Sequence, residues 1–411
     1  ISSQGGALQV LNGTMQPLGP VISWMDGRGG PYDEALTAER GREFFIEHTG
    51  HGRSFLSLGQ VLRLRGESPE LLAAPNRIGF VGDTVVGRLT GGFAHDATSA
   101  SIAWLYNPSL RDYDPTLLDI LGLTRDQLPT LLGPTERAGG LTNAIAARTG
   151  LPAGIPVTPA VHDQYAAATG AGSVRPGDMM IGTGTAWVVL ANDSTLRPPM
   201  TPGGFTCTHV IDGLFGQMAS LVNGGSAFQW ALELTGLAST APAELDTMMS
   251  AVPAGCDGLR FRPTLAAGGG EGLAHGSQGC LTGLTLAHTP AHVLRAAIEG
   301  LACELARNLN IFTASDITLE RLILTGGAAK STLTPQILAN ITGLPLTCIA
   351  EPDTSAFGAG VLARAMATGA PLGPLAEQLA PASATVTPDD PDGTCAALLA
   401  DYCDVLCTLP L

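Results

Sequence analysis

The chain has 411 residues and a mass of 42.0 kDa, more than one hydrophobic core usually spans, since single cores rarely grow past roughly 250–300 residues. It is 45% hydrophobic and 14% charged, with a formal net charge of -15 and a pI near 4.8, which excludes a disordered chain and a basic nucleic-acid or anionic-membrane binder. No uninterrupted apolar run reaches the ~18 residues of a membrane span.

In chain order, residues 1–11 read as a strand, a tight turn and a second strand, and the β-rich opening closes at Trp24-Met25-Asp26-Gly27-Arg28. No charged-then-apolar leader is visible, and the start in mid-strand leads us to expect that sequence is missing upstream. Residues 33–75 read as helical, with a break near 50–52. Asp114 and Pro115 open a short helix over 114–121, Thr124 caps another over 124–128, and 141–149 forms a third, closed by Gly150. Residues 157–161 read as an apolar strand running into His162-Asp163-Gln164-Tyr165 and a helix to 172.

The second half repeats strand, turn and helix. Strands are expected at 178–181, 186–191, 321–324 and 344–349, and helices at 290–310 and 355–368. Val293, Ala296, Ala297, Gly300 and Leu301 form one face of the 290–310 helix. Such alternation with Gly-rich junctions is α/β architecture. The eight cysteines include no C-x-x-C pair and no zinc spacing, so reduced thiols in a cytoplasmic protein are the default.

Three Gly/Thr-rich turns follow strands, at 182–185, 223–226 and 325–331. Turns of this kind expose backbone N–H groups and let a phosphate approach without a Cβ in the way. Each alone is ordinary loop chemistry; three in one domain favour a nucleotide site. None is a P-loop, and no Rossmann Gly-x-Gly-x-x-Gly pattern with its downstream acid is present. Lys330, the single lysine among 21 Lys and Arg residues, lies in the third turn, as a solvated helix-start lysine or as a nucleotide contact. Asp163 ends an apolar strand, where α/β proteins place ligands, and it reads equally well as a catalytic carboxylate or as a helix N-cap. Asp26 and Arg28 form either a polar site or a surface turn with a local ion pair.

Several segments resemble the FGGY carbohydrate kinases, a branch of the actin/hexokinase-like ATPase superfamily. Gly279-Cys280-Leu281-Thr282-Gly283-Leu284, followed after seven residues by His292-Val293 and Ala296-Ala297-Ile298-Glu299, is similar to the family's C-terminal signature. Val161-His162-Asp163-Gln164 resembles the segment with the catalytic aspartate, and Ile181-Gly182-Thr183-Gly184 the second phosphate motif. Asn223-Gly224-Gly225-Ser226 with Trp230 is similar to the next nucleotide-proximal turn, and 324–331 to the adenosine motif. Gln4-Gly5-Gly6 and Trp24-Met25-Asp26-Gly27-Arg28 resemble sugar-binding segments. The likeness covers nearly the whole chain. It departs from the family in two places. The Asp-x-Gly-Thr phosphate loop expected upstream of Ile1 is not in this sequence, and the helix that usually carries a Lys and a Trp reads Gln60-Val61-Leu62-Arg63-Leu64.

The resemblance implies an α/β fold of two RNase H-like, actin-like ATPase domains flanking a central cleft that closes over its substrates. Residues 1–172 would be the N-terminal sugar-binding domain, lacking its first strands, and 173–411 the C-terminal nucleotide-binding domain. It implies ATP-dependent phosphorylation of a hydroxyl of a small sugar or polyol, a ketose such as xylulose first, with ATP and Mg²⁺ as cofactors. Asp163 would be the catalytic base. Gln4, Gly5, Trp24, Asp26, Arg28 and Gln164 would contact the sugar. Gly182, Thr183, Gly184, Gly225, Gly326, Gly327, Ala328, Lys330 and Ser331 would hold ATP, with Thr183, Gly225 and Gly327 supplying donors to the phosphates. No protein metal ligand is assigned. The expected partners are the sugar and, from the general frequency of dimers, a second copy of the chain, with neither nucleic acid nor membrane. The alternatives are a non-catalytic sugar- or nucleotide-binding pseudokinase of the same fold, and an ATPase of the superfamily acting on a protein or acid.

Overall fold

A computed structural model describes residues 1–200, 204–221, 223–265 and 278–406. The chain divides into two compact units, each assembled from separated stretches. The first comprises Ile1–Arg175, Asn192–Gln217 and Asp353–Ala380; the second comprises Pro176–Ala191, Met218–Pro352 and Pro381–Leu411.

In the first unit, Ser2–Ser3 runs parallel to Val161–His162, with Ser3 opposite His162. Leu8–Leu11 instead pairs antiparallel with Arg77–Phe80. The two expected opening strands are present and belong to different ladders. Gly6 makes the break, at φ 73°, a conformation that glycine adopts without steric cost. The expected 157–161 strand is also divided. Pro156–Val157 pairs with Gly139–Gly140, and Val161–His162 pairs with Ser2–Ser3. Pro159 between them has no N–H for a ladder.

The helices Gly30–Arg40, Arg42–Thr49 and Ser57–Glu67 occupy most of the stretch expected to be helical, which ends in the 3₁₀ turn Pro69–Leu72 rather than in α-helix. Their apolar faces meet the strands in a core that includes Leu8, Val10, Phe45, Leu58, Val61 and Phe80. Burying each such side chain stabilises by about 1.5–3 kcal/mol. Asp114 caps Pro115–Leu121 through the Leu117 N–H, as expected, while the Thr124 turn is a 3₁₀ helix over Arg125–Gln127.

The second unit is built on a sheet in which neighbouring strands follow the order Trp187–Asp193, Asp178–Thr183, Arg321–Gly326, Leu346–Ile349, Ser383–Val386. The three middle strands are parallel, and Leu322, Ile323 and Leu324 are buried, as a strand covered on both faces requires. The helix Pro290–Ala314 packs Leu294, Leu301 and Leu305 inward, and Gly300 lets it approach the carbonyl of Phe261. Seven free cysteines occur among the described residues; Cys407 lies outside them. Among the described residues, no helix is long and apolar enough to cross a membrane.

Candidate active site

In the first unit, several of the residues expected on the sugar side gather where two parallel strands end. Because Ser3 lies opposite His162, the residues that follow, Gln4 and Asp163, leave neighbouring strand ends in the same direction. Gly5 lies against His162: a Cβ there would come 2.7 Å from His162 Cδ2. Gly6 lies 3.6 Å, by the same construction, from Trp24 Cβ. Gln4, Gly5, Trp24, Asp163 and Gln164 thus share one end of the unit.

Asp163 is the first residue of the helix Asp163–Gly170, and His162 holds the cap position, so the N-cap alternative does not describe it. The Asp163 side chain is partly exposed, with Oδ1 3.5 Å from His162 Nε2. Burial pushes the His162 imidazole down, which keeps it neutral beside the carboxylate. Gln164 Oε1 is buried without a hydrogen-bond partner among the described residues, an acceptor suited to a ligand hydroxyl.

Asp26 and Arg28 form the expected local ion pair. Arg28 Nε donates to both Asp26 oxygens at 2.9 and 3.0 Å, and Asp26 also caps the 3₁₀ turn Gly27–Gly29. The Arg28 guanidinium holds the Asp26 carboxyl well below the usual carboxylate range. Both members are accessible, so the turn is at once a surface ion pair and a bidentate polar face.

In the second unit, the three Gly/Thr turns meet around Thr183. The strands Asp178–Thr183 and Arg321–Gly326 end together, with Thr183 opposite Gly326. The Thr183 hydroxyl donates to Thr325 O at 2.5 Å and accepts from the Ala328 N–H at 3.0 Å. Gly327 N–H donates to Thr183 O, and Gly225 N–H to Gly184 O. The donors expected to reach phosphates at Thr183, Gly225 and Gly327 are therefore engaged in tying the turns to one another. A Cβ at Gly225 would run into Gly184 O, and Gly326, at φ 86°, would meet Thr183 O, so glycine is required for the turns to close up. The result is a cluster of three backbone-lined turns tied together around Thr183.

Lys330 is exposed at the end of the 3₁₀ turn Ala328–Lys330. Ser331 is drawn elsewhere: its hydroxyl donates to Asp246 Oδ1 at 2.8 Å and accepts from the N–H groups of Leu333 and Thr334. Trp230 stacks on Phe261, with ring centroids 6.0 Å apart.

Sequence reasoning missed the supports. Asp246 anchors the third turn from 85 residues away. Gln60 donates to the carbonyl of Asp26. Behind Gln4, buried His95 joins Tyr113 Oη at 2.6 Å and Asp83 Oδ2 at 3.2 Å. Gln60 stands out in the sequence only as part of a departure from the family's signature, and Asp246 and His95 have no motif; their partners are visible only once the fold brings distant residues together. Among the described residues, no group of three or more His, Cys, Asp or Glu side chains is arranged to hold a metal.

Residues 1–170 match the N-terminal domain, and residues 178–367 the C-terminal domain, of the FGGY family of carbohydrate kinases. L-fuculokinase of Escherichia coli (strain K12) is 29% identical over 87% of this chain and 74% of its own. Glycerol kinase of Geobacter sp. (strain M21) is 31% identical over 85% of this chain and 72% of its own. The crystal structure of xylulose kinase from Rhodospirillum rubrum superposes with a TM-score of 0.87 at 26% identity, covering 99% of this chain and 83% of that one. Two matched domains, relatives across most of the sequence and the shared two-domain actin-like ATPase fold lead to one conclusion: this chain belongs to the FGGY family of carbohydrate kinases and is a sugar kinase.

Proposed function

We propose that the chain transfers the γ-phosphoryl group of ATP to a hydroxyl of a small ketose or polyol, with Asp163 as the general base. The observation that carries this reading is the register of Ser3 with His162, which sets Gln4 and Asp163 at adjacent strand ends. Asp163 takes the proton as the acceptor oxygen attacks phosphorus; the bond from phosphorus to the bridging oxygen breaks, and ADP leaves. Base catalysis of this kind contributes about 10²–10⁴-fold. Gln4, Gln164 and the Asp26–Arg28 face orient the acceptor hydroxyls. The Thr183-centred turns seat the polyphosphate, with Lys330 at their rim. Mg²⁺ carried by the nucleotide would neutralise charge on the phosphate oxygens.

A xylulose-type ketose is the first acceptor to try, supported by the likeness to the Rhodospirillum rubrum enzyme. Fuculose and glycerol follow from the other named relatives. Discrimination among them rests on a few hydrogen bonds to hydroxyls. The test is ADP release with Mg-ATP against D-xylulose, L-ribulose, L-fuculose, glycerol and gluconate. Acceptor-dependent release with one preferred ketose is expected. Release that no acceptor stimulates, by a folded protein, would contradict the proposal.

A further inference from the structure

The Asp26–Arg28 turn does not hold its own position; it rests on the start of the helix Ser57–Glu67. Gln60 Nε2 donates to the carbonyl of Asp26 at 2.8 Å. The same amide's oxygen accepts from Arg63 Nε at 3.0 Å, and Arg63 continues to Glu67 Oε2 at 2.6 Å. Gln60 and Arg63 are 5% and 6% exposed, so the bond between them is buried and its loss would leave polar atoms unpaired, while the bonds to Asp26 and Glu67 are part-buried. Backbone contact reinforces them: a Cβ at Gly29 would lie 2.8 Å from Gln60 N. From below, Asp33 Oδ1 accepts from Gly59 N–H at 2.9 Å.

Glutamine suits this place because one amide both accepts and donates. It takes Arg63's N–H on one side and gives its own to the Asp26 carbonyl on the other. A lysine at 60 could donate but not accept, and would set an ammonium beside the guanidinium. Both Gln60 and Arg63 lie in the segment Gln60-Val61-Leu62-Arg63-Leu64, where the chain departs from the family's Lys-and-Trp signature, and here they are bonded to each other.

We propose that Gln60 and Arg63 act as one positioning unit that fixes the Asp26 carbonyl and so aims the Asp26–Arg28 face at the acceptor. This rests on the reading of Asp26 and Arg28 as acceptor contacts. Both are positioning residues and touch no substrate.

The test compares Gln60→Glu, Gln60→Met and Asp26→Asn, using D-xylulose with Mg-ATP, or whichever acceptor in the panel turns over faster. Gln60→Glu keeps an acceptor for Arg63 but faces the Asp26 carbonyl with an oxygen; Gln60→Met loses both bonds. Both variants should raise KM for the acceptor about tenfold, the scale of one or two lost hydrogen bonds, with KM for ATP within about twofold. Asp26→Asn should also raise the acceptor KM, and Asp26→Asn with Gln60→Glu should do so less than the product of the single effects. If Asp26→Asn raises the acceptor KM and neither Gln60 variant does, the positioning unit is wrong while the site stands. If Asp26→Asn leaves the acceptor KM unchanged, the acceptor site itself is misassigned and this inference falls with it. A Gln60 variant that shifts both KM values equally alongside a lower melting temperature would reduce the pair to a structural support.

Discussion

At the scale of the residue, Asp33 is a buried carboxyl that joins a side-chain hydroxyl and a backbone N–H from two later segments. Its Oδ1 accepts from the Ser54 hydroxyl at 2.5 Å and from Gly59 N–H at 2.9 Å. Burial dominates over these bonds and pushes Asp33 up to about 6. The native state therefore binds this proton more tightly than the unfolded chain. Its contribution to stability is complete below about pH 4 and is lost as the pH rises to about 6. A shift of this size corresponds to about 3 kcal/mol. Asp33→Asn keeps an Oδ1 for both donors and carries no charge. Denaturant melts should show the variant gaining on the parent by about that amount between pH 4 and pH 7; a pH-independent difference would mean that Asp33 does not titrate this way. Little of this was legible in the sequence. Asp163 stands out because strand ends in α/β proteins hold ligands, and the Asp26–Arg28 ion pair is legible because their spacing invites one. The roles of Asp33 and Gln60 depend on partners 26 and 34 residues away. The Thr183 hydroxyl, whose partners lie 142 and 145 residues away, reads as a phosphate donor in the sequence and serves as a clasp in the fold.

At the scale of the element, the helix Asp163–Gly170 crosses the helix Thr354–Thr368 at backbone contact within the first unit. A Cβ at Gly358 would overlap the carbonyl oxygen of Ala166, and one at Gly170 would overlap that of Thr354. Neither backbone can yield without moving the helix whose first residue is Asp163. Gly358→Ala is expected to destabilise by about 3 kcal/mol or more, read by urea melts, and to lower turnover in whatever fraction stays folded. Parent-like stability and turnover would show that the crossing tolerates a methyl group. Helices were the most legible elements, because caps such as Asp114 and closing glycines such as Gly150 are local signals. The short strands were least legible: 157–161 reads as one mainly apolar strand, yet its two ends pair with different partners.

At the scale of the whole molecule, the chain enters each unit three times. A boundary read along the sequence has no means of sending 353–380 to the unit that contains Asp163, because that placement depends on the meeting of Gly170 with Gly358. The family, by contrast, is legible over most of the chain, since its motifs are local runs of residues, and its domains match over 1–170 and 178–367. The chemistry proposed for this sugar kinase converges on one carboxylate. The most direct measurement is acceptor-dependent ADP release by the parent and by Asp163→Asn, with acceptor affinity and thermal melting followed in parallel. The account predicts a fall in kcat of at least about 100-fold, the low end for a lost general base, with acceptor binding and melting temperature kept. Turnover near the parent's level in the folded variant would contradict it.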